Sequence, residues 1–214
     1  MSSRHHNVML VGGFALWSIS VATGTAMMWN YATKAGNEGK TPLSWPNESQ
    51  IPRSRNHPTL VMFAHPRCPC TRASIGELAV LMARCHGKVD AEVLFFRPTG
   101  SSENWARTDQ WRSAQAIPDV LVRCDDGGTE ARRFHVETSG HVLLYSVDGS
   151  LLFSGGVTSS RGHAGDNAGR DAITALLNGQ LSKLTKAPVF GCSLLVPKSP
   201  CLTETTTCSL QRHK

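Results

Sequence analysis

The amino-acid sequence predicts an α/β domain whose mixed β-sheet carries helices on both faces, preceded by an N-terminal transmembrane helix. Three observations predict this architecture. Short apolar runs alternate with segments of helical periodicity between residues 59 and 178, a tight hairpin lies late in the chain, and residues 8–29 carry no charge. Alternating strands and helices favour a parallel sheet covered by helices, and the hairpin adds an antiparallel part.

The apolar segment at the amino terminus predicts a membrane anchor within residues 1–31. Residues 8–29 read VMLVGGFALWSISVATGTAMMW. As a helix this stretch would span roughly 33 Å, enough for a hydrocarbon core of about 30 Å, so the lipid bilayer is an expected partner. A cleaved signal peptide is the alternative, because the apolar core ends in the small residues Gly24-Thr25-Ala26. Either interpretation makes the rest of the chain extracytoplasmic, on the periplasmic face.

The composition agrees with an exported globular protein. Of 214 residues, 40% are hydrophobic, and the formal net charge of +6 comes from scattered basic residues without interleaved aromatic side chains. Nucleic acid is therefore not an expected partner. Seven cysteines are more than a reducing compartment favours, which agrees with export.

The chain then divides into a linker, a domain and a tail. Residues 32–58 are rich in glycine, proline, serine and asparagine without a periodic apolar pattern, which predicts a flexible linker. Residues 59–192 contain the alternating elements and are expected to form the domain. The composition of residues 193–214 predicts a disordered tail.

The first half of the domain reads as alternating strands and helices. Apolar runs predict buried strands at residues 59–64, 91–96 and 117–124. Apolar residues at helical spacing predict a helix over residues 71–85, with a glycine just past its end. A second helix is expected over residues 102–115.

The second half of the domain reads as a short helix, a hairpin and a final helix. A DDGG turn closes the third strand, and a short helix follows over residues 130–134. Asp148-Gly149 marks a tight hairpin between strands at residues 141–146 and 150–153. The last helix is expected over residues 168–178. A βαβ unit followed by a ββα unit is the thioredoxin architecture.

Two cysteines separated by one proline lie where the first strand meets the first long helix, in TLVMFAHPRCPCTRASIGELAVLMARC. A helix N-terminus stabilises a thiolate, and Arg67 is expected to lower the thiol pKa further. Such a thiolate serves disulfide exchange and also binds soft metals. Redox exchange, metal capture and a structural disulfide are therefore three interpretations of Cys68 and Cys70. A disulfide across one residue would be strained, which favours exchange.

A second candidate region is the loop SSRGHAGDNAGR, which leads from the last strand into the last helix. In a thioredoxin-like sheet this loop lies near the thiol pair. Arg161 could support a thiolate, and His163 could act as an acid–base group or as a third metal ligand. The alternative is a glycine-rich connection with solvated side chains and a helix cap. Cys192 could also return toward the domain as a partner thiol.

Three segments taken together resemble the membrane-anchored bacterial RedB-like proteins of the thioredoxin-like superfamily. They are HPRCPCTRASIGEL, EARRFHVETSGHVLLYSVDGSLLFSGGVTSSRGHAGDNAGRDAITALL and APVFGC. The resemblance covers roughly residues 58–192 and implies an extracytoplasmic thioredoxin-like domain on a membrane anchor. Two departures from ordinary thioredoxins accompany it. Only one residue separates Cys68 from Cys70, and Gly140 stands where those proteins carry a cis-proline.

The sequence thus predicts a membrane-tethered thiol–disulfide oxidoreductase or electron-transfer protein. Cys68 is expected to be the exposed attacking thiolate and Cys70 its resolving partner, with Arg67, Arg161 and His163 completing the site. The expected partner is a thiol or disulfide of another protein, and no cofactor is required. Two alternatives remain. One is a Cu(I) chaperone that uses Cys68, Cys70 and His163, and the other is a redox-inactive docking module.

Overall fold

The computed structural model describes residues 3–195, in which a single mixed sheet organises the domain. Its strands are β1 Thr59–Ala64, β2 Asp90–Arg97, β3 Val120–Asp126, β4 His141–Tyr145, β5 Leu151–Gly156 and β6 Lys186–Ala187. The strand order is β3-β2-β1-β4-β5-β6. Strands β1, β2 and β3 are parallel, β4 is antiparallel to both β1 and β5, and β6 is parallel to β5. The predicted thioredoxin-like fold is confirmed.

Helices cover both faces of this sheet, as predicted. They are α2 Pro69–Arg84, α3 Asp109–Gln115, α4 Thr129–Arg133 and α5 Ala168–Leu177; a further helix, α1 Ser3–Thr33, precedes them and does not pack on the sheet. Successive side chains of β1 point to opposite faces of the sheet. Leu60 and Met62 pack with α2, α3 and α5, whereas Val61 and Phe63 pack with α4.

The helix expected over residues 102–115 is divided in two. A short 3₁₀ turn, Glu103–Trp105, is followed by α3, which starts only at Asp109. Between them Thr108 has extended backbone angles (φ −82°, ψ −176°), and its hydroxyl donates to the Pro66 carbonyl over 3.1 Å. The chain therefore leaves the helical conformation to meet the loop that follows β1.

Residues 36–51, predicted to belong to a flexible linker, instead pack onto the domain. The Tyr145 hydroxyl donates to the Pro42 carbonyl over 2.9 Å, and the Trp45 ring lies edge-on to the Tyr145 ring at 5.2 Å. Ile51 is also buried. The linker prediction is wrong here because the apolar residues are spaced too irregularly to show a period, yet they fill the α4 face of the sheet.

The ordered domain also continues past the predicted boundary at residue 192. Ser193 forms an antiparallel bridge with Thr138, and Leu194 is buried. The first residues of the predicted disordered tail therefore belong to the domain. The rest of that tail, from residue 196, lies outside the described residues.

The first helix stands apart from the core. In the described part of the chain, one helical stretch, Asn7–Thr33, is long and apolar enough to cross a membrane, with mean hydropathy 1.5 and no buried portion. A signal sequence near an amino terminus meets the same criteria. The segment is compatible with the predicted anchor.

A buried histidine opens β4. His141 is fully buried, and its Nε2 lies 2.8 Å from Ser154 Oγ, whereas its Nδ1 has no hydrogen-bond partner among the described residues. Burial lowers the pKa of His141 to about 4. The folded state therefore resists protonation of this ring.

We expect the free energy of unfolding to fall as the pH drops from about 6.5 toward 4. In that window the unfolded histidine binds a proton that the folded one rejects, so acid favours unfolding, by about 2 kcal/mol between pH 7 and 5. Urea unfolding of the full chain in detergent micelles at both pH values measures this change. The His141→Gln variant does not titrate and should lose most of the difference. An equal pH dependence in both proteins would contradict the assignment.

Candidate thiol site

The first thiol lies at the start of α2, directly after the loop that follows β1. Cys68 is the N-cap of α2 with an extended backbone (φ −87°, ψ 118°), and Pro69 is the first helical residue. Gln110 of α3 donates its side-chain amide to the Cys68 carbonyl over 2.8 Å. The prediction that a helix begins beside the cysteine pair is confirmed, so the pair lies at the positive end of the helix dipole.

A third cysteine lies against the first. The Sγ atoms of Cys68 and Cys192 are 2.8 Å apart, within hydrogen-bonding distance for sulfur. Cys68 is only 1% exposed and Cys70 6%, whereas Cys192 is half-buried. The expectation of an exposed Cys68 is wrong, because Cys192 covers it.

Residues 188–195, which we call the return arm, bring Cys192 to this position. The Ser139 N–H donates to the Cys192 carbonyl over 2.9 Å, and the Leu194 N–H donates to the Glu137 carbonyl over 2.8 Å. The arm thus pairs antiparallel with the segment that precedes β4. This backbone pairing, rather than side-chain packing alone, determines where Cys192 lies relative to the start of α2.

The three thiols differ in pKa. Burial opposes ionisation of Cys68, but hydrogen bonds from the Cys192 side chain and backbone and from the Thr71 hydroxyl outweigh it and lower the pKa of Cys68. Burial, then the neighbouring Cys68 charge, raises the pKa of Cys70, with Arg161 opposing. Burial and the bond to Cys68 raise the pKa of Cys192 to about 12. Cys68 therefore ionises first, and its thiolate then accepts a hydrogen bond from the Cys192 thiol.

The position of the Arg67 side chain does not match the role predicted for it. Its side chain is exposed, and its guanidinium stacks over the Trp105 ring at 4.6 Å. The pKa of Cys68 is lowered chiefly by hydrogen bonds from Cys192, Thr71 and the Cys70 backbone. The position of Arg67 therefore does not support a direct effect on the thiols.

Arg161 does lie beside the thiol cluster, where its charge opposes the raised pKa values of the two protonated thiols. Its Nη1 donates to the Gly191 carbonyl over 2.6 Å. Its Nε donates to the Lys34 carbonyl over 3.2 Å, and its backbone N–H donates to the Ala32 carbonyl over 3.0 Å. Arg161 thus connects the return arm to the end of α1.

His163, on the same loop, is exposed, and its backbone N–H donates to the Ser160 carbonyl over 3.3 Å. Within residues 3–195, no group of three or more His, Cys, Asp or Glu side chains is positioned to hold a metal ion. The predicted set of Cys68, Cys70 and His163 is accordingly not assembled as a metal site here. The copper alternative stays a prediction.

A buried ion pair fixes the loop that carries Arg161. Glu77 of α2 and Arg170 of α5 are both buried and form a salt bridge. The Gly165 N–H and the Asn167 side-chain amide also donate to Glu77, over 2.6 and 3.2 Å. Asn167 additionally caps α5, as one interpretation of the loop predicted. The loop is thereby tied to the helix that begins at the thiols.

We expect Glu77→Ala to lower the free energy of unfolding by about 3–5 kcal/mol, because it leaves the Arg170 charge buried without its partner. Denaturant unfolding of the full chain in micelles measures the loss. Asp171→Ala is the matched control, since this exposed carboxylate lies 3.8 Å from Arg170 and its removal should cost about 0.5 kcal/mol or less. Similar losses in both variants would contradict the role given to Glu77.

Sequence reasoning missed two residues of the site. The Thr71 hydroxyl helps to lower the pKa of Cys68. It donates to the His65 carbonyl over 3.3 Å and lies 2.7 Å from Ser139 Oγ, which in turn accepts from the His65 N–H over 2.7 Å. Because Thr71 directly follows the cysteine pair, its proximity to the thiols could be predicted from the sequence. Ser139 had no local signal, because only the pairing of β4 with β1 brings it to the thiols.

The fold and the site together define a thioredoxin-like protein with a buried thiol cluster at the start of α2. No protein-family model matches the chain, and no curated protein matches it in sequence. Solved structures of similar fold do exist. An uncharacterised conserved protein from Geobacillus kaustophilus matches with a TM-score of 0.52 and 15% identity, over 78% of this chain and 94% of that one.

Two further structures are similar to this chain. A hypothetical protein from Sinorhizobium meliloti 1021 has a TM-score of 0.52 and 16% identity, over 75% of this chain and 93% of its own. A secreted disulfide oxidoreductase from Mycobacterium tuberculosis has a TM-score of 0.43 and 16% identity, over 57% and 81%. Likeness at these levels concerns the fold and does not extend to activity.

Proposed function

We propose that this chain is a membrane-tethered, extracytoplasmic thiol–disulfide oxidoreductase of the RedB-like kind, with Cys68 as its reactive thiolate. The hydrogen bonds that lower the pKa of Cys68 at the start of α2 carry the proposal. The thiolate is the nucleophile of disulfide exchange, so a cysteine that ionises easily is suited to that reaction. Its partner is a thiol or disulfide of another protein, and the exchange requires no cofactor.

A comparison within one helix supports this assignment. Cys85 follows the last turn of α2 and is as thoroughly buried as Cys68, and burial raises its pKa. That is the ordinary behaviour of a structural cysteine in apolar surroundings. Cys68 departs from it because Cys192 and Thr71 supply donors to its sulfur. Cys85 also receives a hydrogen bond, from Thr174, but burial outweighs it, whereas at Cys68 the donors outweigh burial. This difference favours a reactive role for Cys68.

The position of α1 supports the tethered part of the proposal. Its apolar stretch ends at Thr33, and the adjoining Ala32 and Lys34 carbonyls accept hydrogen bonds from Arg161. With α1 in a bilayer, the thiol site would therefore work close to the membrane surface. Partners that present a thiol or disulfide near that surface are the ones it would reach.

We expect Cys68→Ser to reduce exchange with glutathione disulfide to the background rate, because the ionised sulfur is removed. The thiolate absorbance of the wild-type chain minus that of the variant should place the pKa of Cys68 below that of an ordinary thiol. Cys124→Ser is the matched control, since Cys124 is half-buried on β3 and burial raises its pKa. This variant should exchange at the wild-type rate.

Other outcomes would favour the alternatives. Exchange that persists after Cys68→Ser would refute the proposed function. Tight stoichiometric Cu(I) binding that depends on His163, without a reversible two-electron midpoint, would favour a copper chaperone. Thiols at Cys68 and Cys70 that neither ionise nor exchange near neutral pH would favour a docking module.

A further inference from the structure

We propose that the redox-active disulfide of this protein joins Cys68 to Cys192 rather than to Cys70. The inference rests on the proposed function and concerns which two sulfurs share the bond. The Sγ atoms of Cys68 and Cys192 are 2.8 Å apart, although 124 positions separate the residues in the chain. A shift of roughly 0.8 Å would bring them to the length of a disulfide, about 2.05 Å.

Cys70 is the less favourable partner because of its place in the helix. It lies in the first turn of α2, one residue after Pro69, whereas Cys68 precedes the helix with an extended backbone. A disulfide across a single residue would have to distort this turn, and distorted disulfides are strained. Cys192 approaches on a separate backbone segment, so its bond to Cys68 does not require the helix to change.

Two hydrogen bonds and one close backbone approach hold the return arm where this bond can form. The Cys192 carbonyl accepts from the Ser139 N–H over 2.9 Å, and the Gly191 carbonyl accepts from Arg161 Nη1 over 2.6 Å. Gly191 is also required sterically, because a Cβ atom there would lie 1.9 Å from the Ser139 carbonyl oxygen. The arm is thus positioned by backbone contacts on both sides of the cysteine.

Exposure and pKa give the two sulfurs different roles. Cys68 is sealed at 1% exposure, so a partner reaches the half-buried Cys192 first. In the oxidised protein, a partner thiolate attacks Cys192 Sγ, forms a mixed disulfide with it and breaks the bond to Cys68. Cys68 leaves as a thiolate, and the thiol of lower pKa is the better leaving group.

A second thiol of the partner completes the exchange. It attacks the partner sulfur of the mixed disulfide, forms the partner's own disulfide and releases Cys192, which takes up the proton of that second thiol. The proton of the first partner thiol has gone to solvent. Two electrons have passed from the partner dithiol to the protein, which now holds a Cys68 thiolate and a Cys192 thiol. In the reverse direction the Cys68 thiolate takes the proton of the adjacent Cys192 thiol, and Cys192 attacks the partner disulfide. Cys68 passes that proton to the released partner thiolate, then attacks Cys192 Sγ and releases the second partner thiolate, which takes a proton from solvent.

Peptide mapping of the oxidised full chain in micelles tests the pairing. Trypsin places Cys68 and Cys70 in residues 68–72 and Cys192 in residues 187–198, apart from the two tail cysteines in residues 199–212. After equilibration with glutathione disulfide and acid alkylation, we expect the peptides 68–72 and 187–198 to be joined. The link should persist in Cys70→Ser and in the control Cys124→Ser, and disappear in Cys68→Ser and Cys192→Ser.

The outcomes separate this inference from the proposed function. A disulfide within peptide 68–72, with Cys192 alkylated and the two-electron midpoint retained in Cys192→Ser, would overturn the Cys68–Cys192 pair and leave the oxidoreductase intact. A link that survives Cys68→Ser but not Cys70→Ser would overturn it in the same way. Absence of any disulfide and of exchange in the wild-type chain would refute the proposed function itself.

A variant that keeps every thiol gives a second test. Gly191→Ala should displace the return arm from Ser139 and sharply lower the yield of the linked peptides, with the start of α2 unchanged. Ser193→Ala is the control, because that side chain is exposed and bonds only within the arm. Thermal unfolding of both variants checks that each is folded. An equal yield of the link in folded Gly191→Ala and in the control would count against the pairing.

Discussion

The hydrogen bond between the thiols of Cys192 and Cys68 is the interaction on which the site depends. Burial alone would raise the pKa of Cys68, as it does for Cys85 at the other end of α2. At Cys68 the donors around the sulfur reverse that effect, and Cys192 supplies the largest of them. The contact that hides the sulfur from solvent is therefore also the contact that lets it ionise. Water could not do both, because a solvated thiol keeps its ordinary pKa.

The sheet determines where these two sulfurs meet. Cys68 follows β1, and the return arm pairs with the segment that precedes β4, the antiparallel neighbour of β1. The Gly140 N–H donates to the Phe63 carbonyl over 2.7 Å at this junction, with Gly140 at a φ of +87° that glycine adopts readily. A Cβ atom at Gly140 would lie 2.8 Å from Ser74 Oγ of α2. The close fit of β4 to α2 thus sets the distance between the arm and the helix start.

The sequence predicted those parts of the molecule that local patterns determine. The bounds of β1, the start of α2 beside the cysteines and the hairpin at Asp148-Gly149 all follow from apolar runs, helix signals and turn residues. The return arm and residues 36–51 did not, because they are held by backbone pairing and scattered apolar contacts with distant segments. The expected exposure of Cys68 was wrong because the return arm covers its sulfur. The role of Arg67 was inferred from its place beside the cysteine, and no local pattern indicates that its exposed guanidinium stacks on Trp105.

The chemistry of the covered site bears on the direction in which it would pass electrons. Within the proposed pair, the hydrogen bonds that Cys192 and Thr71 donate to the Cys68 thiolate exist only while the sulfurs are not bonded to each other. They therefore stabilise the reduced form relative to the disulfide. A thiol–disulfide protein whose reduced form is stabilised is a stronger oxidant, because its disulfide gains those interactions when it accepts electrons. The same donors that make Cys68 a good leaving group thus favour oxidation of a partner dithiol over reduction of a partner disulfide.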